Sequence, residues 1–179
     1  MTTSIVSPNA TIGMNFKLGA FNIIDAGAEV GDNVAIGNFC HISAGVVIGN
    51  NTIVMDYVEL RNNTIIGQDC YIDSRVSSSG NVTIADRVTI RYDTILARGV
   101  EVGEGTYICP RVMTNNLNAE RQSIGGAKIG KHCFIGTNAV LQHGVLIDDY
   151  AIIGSMSFVN KDCRKRSTYI GIPATLKER

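Results

Sequence analysis

From Ile12 almost to the C-terminus, an aliphatic residue returns at every sixth position. The series runs Ile12, Leu18, Ile24, Val30, Ile36, Ile42 and onward to Ile108, and of its 17 positions only Ser78 is not Ile, Leu or Val. It resumes in a shifted frame as Ile129, Ile135, Leu141, Ile147, Ile153 and Val159. A second series precedes the first by two residues and is small or β-branched: Ala10, Ala28, Val34, Cys40, Val46, Thr52 and onward to Thr106, with Phe16 and Asn22 as exceptions. An amphipathic helix would show apolar spacings of three and four, so a steady six excludes it. Residues two apart on a strand share a face, so both series point inward, and each hexapeptide reads as one short strand plus one corner. Gly often follows the large position, as at Gly13, Gly31, Gly49 and Gly103, where it is expected to open the corner by adopting a positive φ. A hexapeptide period is the signature of a parallel β-helix, with coils stacked about 4.8 Å apart by parallel ladder bonds.

The repeat resembles that of the left-handed hexapeptide β-helix: a large aliphatic residue, then Gly, Ala, Glu or Asp, then a small or β-branched residue four positions after the first. The resemblance covers nearly the whole chain. It implies triangular coils of eighteen residues and a left hand, an exception to the usual right-handed crossover. The expected fold is therefore all-β, a left-handed parallel β-helix of about eight triangular coils, roughly 38 Å tall on the ladder spacing. It is read as one domain over residues 1–179, with one extruded loop at 114–128 and a short tail at 160–179.

Two places break the pattern. At Val76-Ser77-Ser78-Ser79-Gly80 the register survives, so one side is weakened without an insertion; it is an irregular side or a shallow polar patch for a ligand. After Ile108 the register is lost: counting by sixes reaches Gly126 and His132 and misses Ile129. Thr114 is read as the start of a departure from the prism, and the polar run from Asn115 to Gly126 as a loop. Loops on a rigid scaffold are disproportionately functional, and the alternative is a tolerated surface insertion.

Composition narrows the classes. The chain has 16 basic and 16 acidic side chains, so no net field draws it to nucleic acid or an anionic membrane. No apolar run approaches the roughly 20 residues that span a bilayer. The N-terminal residues lack a charged segment followed by an apolar one, so no signal peptide is read and a cytoplasmic location is expected. The five cysteines show no CxxC spacing, and an odd number argues against a disulfide framework. Cys40, Cys70, Cys133 and Cys163 fall at the small inward position and read as buried hydrophobes. Cys109, beside Pro110, is expected to be structural but more exposed. With three His and no His-x4-His pair, a γ-carbonic-anhydrase type of metal site is disfavoured, and no metal is expected.

Ile108-Cys109-Pro110-Arg111-Val112-Met113-Thr114-Asn115-Asn116, followed by Glu120-Arg121, resembles a motif of hexapeptide acetyltransferases acting on nucleotide-linked amino sugars. That motif ends in Thr-Asn-Asp and continues to Pro-Arg; here Asn116 replaces the Asp and Glu120 the Pro. Val159-Asn160-Lys161-Asp162 and Gly171-Ile172-Pro173-Ala174 resemble the coenzyme A end of the same superfamily. Cys40-His41-Ile42-Ser43 resembles a run in the related sialic-acid-type acetyltransferases, whose catalytic His has no match near Gly31-Asp32-Asn33. The resemblance implies acetyl-CoA as acyl donor, a sugar nucleotide as partner and a homotrimer, for which outward Val47, Tyr71 and Phe158 are interface candidates.

Acyl transfer from a thioester needs little help when the acceptor is a free amine. A hydroxyl needs a general base, usually His. His143 is the candidate base, or otherwise a wall of the donor cleft, and Asn116 shares the catalytic assignment as a positioning group. His41 points outward and is a lesser candidate; His132 reads as structural. Asn115, Glu120 and Arg121 are assigned to the acceptor. Gly136, Ser155, Lys161, Arg164 and Lys165 are assigned to coenzyme A; the basic cluster, which includes Arg166, is a phosphate site or an ordinary solvated turn. The leading function is transfer of an acetyl group to the amine of a nucleotide-linked amino sugar. The alternatives are O-acetylation of a sugar hydroxyl and a non-enzymatic β-helix used for assembly.

Overall fold

The computed structural model describes residues 4–177. Nearly all of its 27 strands are two residues long. They lie in three sheets of nine, eight and ten strands, and successive strands of the chain visit the three sheets in turn. Neighbouring strands pair in parallel with partners eighteen residues apart, as in Glu59 opposite Ser77 and Ile66 opposite Ile84. The result is a three-sided parallel β-solenoid. The strand Thr175–Leu176 alone pairs antiparallel, against Thr168–Ile170.

The nine-stranded sheet makes nine coils, one more than expected. The frame in fact begins one hexad before Ile12, at Val6, and Ile5–Val6 pairs with Ile23–Ile24. The last coil is shorter than the rest. Tyr169 lies opposite Ile153 and Cys163 opposite Ile147, each sixteen residues apart. Cys163 thus takes the large inward position and not the small one, and the Asp162 carboxylate accepts a hydrogen bond from Leu146 N at 2.8 Å, where other coils use a carbonyl.

Both inward series are buried, and they form one continuous core from Ile24 to Tyr169. The polar members of the small series are satisfied within the stack. Thr52 and Thr106 donate to the carbonyls of Gly67 and Gly130 at 2.9 and 2.8 Å. Asn22 accepts from Cys40 N at 2.7 Å and donates to Gly37 O at 2.8 Å. Phe16 is partly buried against the first coils of the core.

The corner glycines have a different reason from the one expected. Positive φ falls two residues later, on Asn33, Phe39, Asn51 or Asp69, all between 56° and 58°. The glycine after the large position is where consecutive coils touch. A Cβ on Gly49 would lie 2.5 Å from Gly67 C, and one on Gly103 would lie 2.5 Å from Gly130 C. At a stacking distance near 4.8 Å there is no room for it.

Candidate functional site

The prism has three edges, and the insertion lies on the edge between the nine- and eight-stranded sheets. Thr114 does not leave the prism, contrary to the expectation from sequence. It is 3% exposed, fills a large inward position and pairs with Leu141. Its hydroxyl accepts from Ala97 N at 2.7 Å and donates to Ile95 O at 3.2 Å. The departure begins at Asn115, and the next strand is Lys128–Ile129, with Ile129 opposite Val102. The same inward bond measures the insertion. From Cys70 N to Thr52 Oγ1 it spans one ordinary coil, a separation of 18 in the sequence. From Cys133 N to Thr106 Oγ1 the separation is 27. This corner is therefore nine residues longer than its neighbours.

The extra residues form a small hairpin. Leu117 bridges Ser123, and Arg121 N donates to Asn118 O at 3.0 Å across the tip. Asn118 and Gln122 lock the turn with two further bonds, at 2.8 and 2.9 Å. The hairpin's base is tied down on both sides. Ile124 N donates to Asn116 O at 2.9 Å, and Gly144 N to Gly125 O at 3.1 Å. Glu120 and Arg121 are therefore carried outward on the exposed tip, while Asn115 and Asn116 stay at the root.

At that root is a cleft of about 300 Å³, lined by Ser79, Ile95, Ala97, Thr114, Asn115, Asn116 and Leu117. Its wall combines the two pattern breaks. Ser78 and Thr114 both replace an aliphatic residue on the nine-stranded sheet, two coils apart with Leu96 between them. Ser78 is fully buried, its hydroxyl 2.6 Å from that of Thr64, and Ser79 turns out into the cleft. Ser79 belongs to the weakened side read from sequence as an irregularity or a shallow polar patch; Ile95, Ala97 and Leu117 had no assignment, although residues 79, 97 and 115 fall on one column once the eighteen-residue coil is counted.

The register joins the two residues assigned to catalysis. Thr114 pairs with Leu141, so Asn115 and Asn116 occupy the same corner positions as Gln142 and His143 on the next coil. The His143 ring is half-buried. Its Nε2 lies 3.4 Å from the Gln142 amide nitrogen, and its Nδ1 is buried with no partner. A buried polar atom without a partner is uncommon in a finished fold.

The residues assigned to coenzyme A do not share one edge. Lys161, exposed, continues the column of Asn116 and His143 through the pairing of Leu141 with Val159. Gly136 and Ser155 lie on the edge between the ten- and nine-stranded sheets. Gly136 is squeezed between coils, and a Cβ there would meet Ser155 N at 2.5 Å. Arg164 and Lys165 lie on the remaining edge. There Lys165 Nζ is 3.5 Å from Asp149, and the Arg166 guanidinium stands 4.7 Å over the Tyr150 ring. Asp149 also accepts from Lys131 N at 2.8 Å, a bond that holds its carboxyl below the usual range.

His41 Nε2 pairs with Asp25 at 3.0 Å, four strands from Met113 along the nine-stranded sheet. His132 stacks on Tyr150 with ring centroids 5.1 Å apart. All five cysteines are free and buried, Cys109 included at 8% exposure, against the expectation of a more open position. Burial pushes their thiols up, that of Cys163 to about 12. No helix among the described residues is long and apolar enough to cross a membrane.

The sequence period and the three-sided stack define a β-solenoid fold built from hexapeptide repeats. The bacterial transferase hexapeptide (six repeats) profile matches residues 126–161. Over 50 residues the chain is 38% identical to dTDP-4-amino-4,6-dideoxy-D-glucose acyltransferase of Escherichia coli, covering 28% of this chain and 26% of that enzyme. The chain thus spans about a quarter of that relative's length. Among solved structures it superposes on a UDP-N-acetylglucosamine acyltransferase from Campylobacter jejuni with a TM-score of 0.76 at 14% identity, covering 99% of this chain and 73% of the other. An N-acyltransferase from Bacillus cereus, solved with dTDP and coenzyme A, gives a TM-score of 0.51 at 18% identity over 92% and 83% of the two chains.

Proposed function

We propose that this protein transfers an acyl group, acetyl in the simplest case, from a coenzyme A thioester to the amine of a nucleotide-linked amino sugar. The observation that carries the reading is the register at the insertion. It brings Asn115, Asn116 and His143 to one corner, beside a cleft sized for part of a sugar. The Escherichia coli relative acts on an amino sugar linked to dTDP, which supports the same acceptor class.

In this reading the amine lone pair attacks the thioester carbonyl carbon. The carbon–sulfur bond breaks, the sulfur leaves as thiolate and ends as the free thiol, and the nitrogen sheds one proton. Asn115 and Asn116 hold the sugar by hydrogen bonds so that the amine faces the thioester. Asn116 has no carboxylate and so positions without taking the proton. The His143 Nδ1, which lacks a partner within the fold, receives a hydrogen bond or the departing proton. The amine is favoured over a hydroxyl because no carboxylate supports the His143 ring among the described residues. The histidine that does have one, His41, lies five strands from the strand that precedes His143, about 24 Å on the strand spacing.

The donor runs along the C-terminal coils. Lys161 is its best-placed cation, because it shares the corner column of His143. Gly136, Ser155, Arg164 and Lys165 stay assigned to the donor, which would then have to be shared between edges of neighbouring prisms. Exposed Met113, Phe134 and Ile152, with half-buried Phe158, on the outward faces of these coils support a homotrimer that brings such edges together. We place the enzyme in the cytoplasm, where coenzyme A thioesters and sugar nucleotides are both available.

The test is a panel of UDP-, dTDP- and GDP-linked amino sugars incubated with acetyl-CoA, read by release of free thiol. The protein's own buried thiols leave that readout clean. Coenzyme A binding should also raise the melting temperature. Absence of both thiol release and thermal shift, with folded protein, refutes the proposal.

A further inference from the structure

The arginines of this chain divide into two groups. Among the described residues, six have a side-chain partner: Arg61 with Glu59, Arg75 with Asp93, Arg87 with Glu104, Arg91 with Asp73, Arg111 with Asp93, and Arg166 with Tyr150. Arg98, Arg121 and Arg164 have none. Two of these three lie in segments that adjoin the cleft, Arg98 after the lining residue Ala97 and Arg121 in the hairpin that the lining residue Leu117 begins. Arg121 stands on the hairpin tip, a position already assigned to the acceptor. Arg98 had no assignment.

Its placement is specific. Arg98 follows Ala97, which lines the cleft, and Ile95 pairs with Met113, so Arg98 shares the corner position of Asn116 one coil away. It is exposed, and Gly99 follows it with a φ of 78°. The cleft's lining holds hydroxyls, amides and apolar groups but no charge. Such a wall suits a neutral sugar ring and leaves the charged part of a nucleotide sugar to lie outside it. An Arg guanidinium presents a fixed fork of donors that matches phosphate oxygens in pairs. With no carboxylate to satisfy, Arg98 is available for that role.

We infer that Arg98 binds the diphosphate of the acceptor at the rim of this cleft and so selects for nucleotide-linked sugars over free ones. This rests on the acyl-transfer reading above and specifies its acceptor subsite. Coenzyme A also carries a diphosphate, and the experiment must tell the two sources apart.

The test uses the whole protein with Arg98→Gln and Arg98→Lys. Calorimetry is run with dTDP, with UDP and, separately, with coenzyme A. The inference expects Arg98→Gln to weaken the nucleoside diphosphates about tenfold or more and to leave coenzyme A unchanged. Arg98→Lys should recover part of the loss. In turnover, the variant should show a raised KM for the nucleotide sugar. That KM should also depend less on salt than the parent's, which a merely structural residue would not produce. Unchanged nucleotide binding, or a loss confined to coenzyme A, overturns the inference while leaving the enzyme reading in place. If the parent binds coenzyme A but neither nucleoside diphosphate, the acceptor reading itself fails and the role of Arg98 falls with it.

Discussion

Replacing Gly49 by Ala tests the reason for the corner glycines. A Cβ there would lie 2.5 Å from Gly67 C, 2.6 Å from Gln68 N and 2.7 Å from Gly67 O. Ordinary van der Waals contact begins at 3.4 Å, so the two coils must separate by about 1 Å locally. Every atom in the way is backbone, and no side chain can swing aside. The separation strains two cross-coil hydrogen bonds, Gly49 N to Ile66 O at 2.8 Å and Asp69 N to Asn50 O at 2.9 Å. Each contributes about 1 kcal/mol, and overpacking adds roughly 1–3 kcal/mol, giving a cost of about 3–5 kcal/mol. For a chain of this size that is a fall of roughly 10 °C in melting temperature. The matched control is Gly27→Asn. Gly27 has a φ of 77°, and the nearest atom to a Cβ there is 4.0 Å away. Asn already holds the left-handed conformation at other corners, so this change should cost about 1 kcal/mol or less. Thermal melts followed by circular dichroism compare both variants with the parent. If Gly49→Ala melts with the parent, or if Gly27→Asn falls as far, close approach is not what fixes the first glycine.

Three further outcomes are expected. Asn116→Ala should lower turnover of the amino sugar with coenzyme A affinity nearly intact; full activity in that variant beside an inactive His143→Ala would favour a hydroxyl acceptor instead. Removing residues 117–125 leaves a four-residue corner like its neighbours. The fold should then melt close to the parent while the KM for the sugar nucleotide rises, and unchanged kinetics would reduce the hairpin to a surface insertion. The buried thiols sit above their ordinary value in the folded state, Cys163 at about 12, so their contribution is complete below the thiol's unfolded pKa near 9 and declines as pH rises towards 12. The urea midpoint should therefore fall between pH 8 and pH 10.5, less steeply in Cys163→Ala, and a midpoint flat with pH contradicts the burial argument.

The hexad period alone determined the coil. A side-chain alternation of two and a repeat of six leave one strand and one corner per unit, so Ile42, Ile90 and Leu141 are legible as core without coordinates. So was the existence of the loop, because counting by sixes from Ile108 misses Ile129. The period could not show why the corner glycines are there, since a positive φ and a close approach both select Gly, and only the stacked coils tell them apart. Nor could it show that Thr114 stays inside, because a Thr at a large position is as readable an exit as a substitute. The last coil's loss of two residues was hidden because Cys163 suits either inward position. The site lay further from reach. Ser79, Arg98, Asn116 and His143 are distant from one another in the sequence, and they share one edge only because each coil returns the chain to it. The nine added residues decide which sequence neighbours stack: by eighteen-residue counting His143 would fall out of register with Asn116, and the paired strands on either side of the hairpin bring them together.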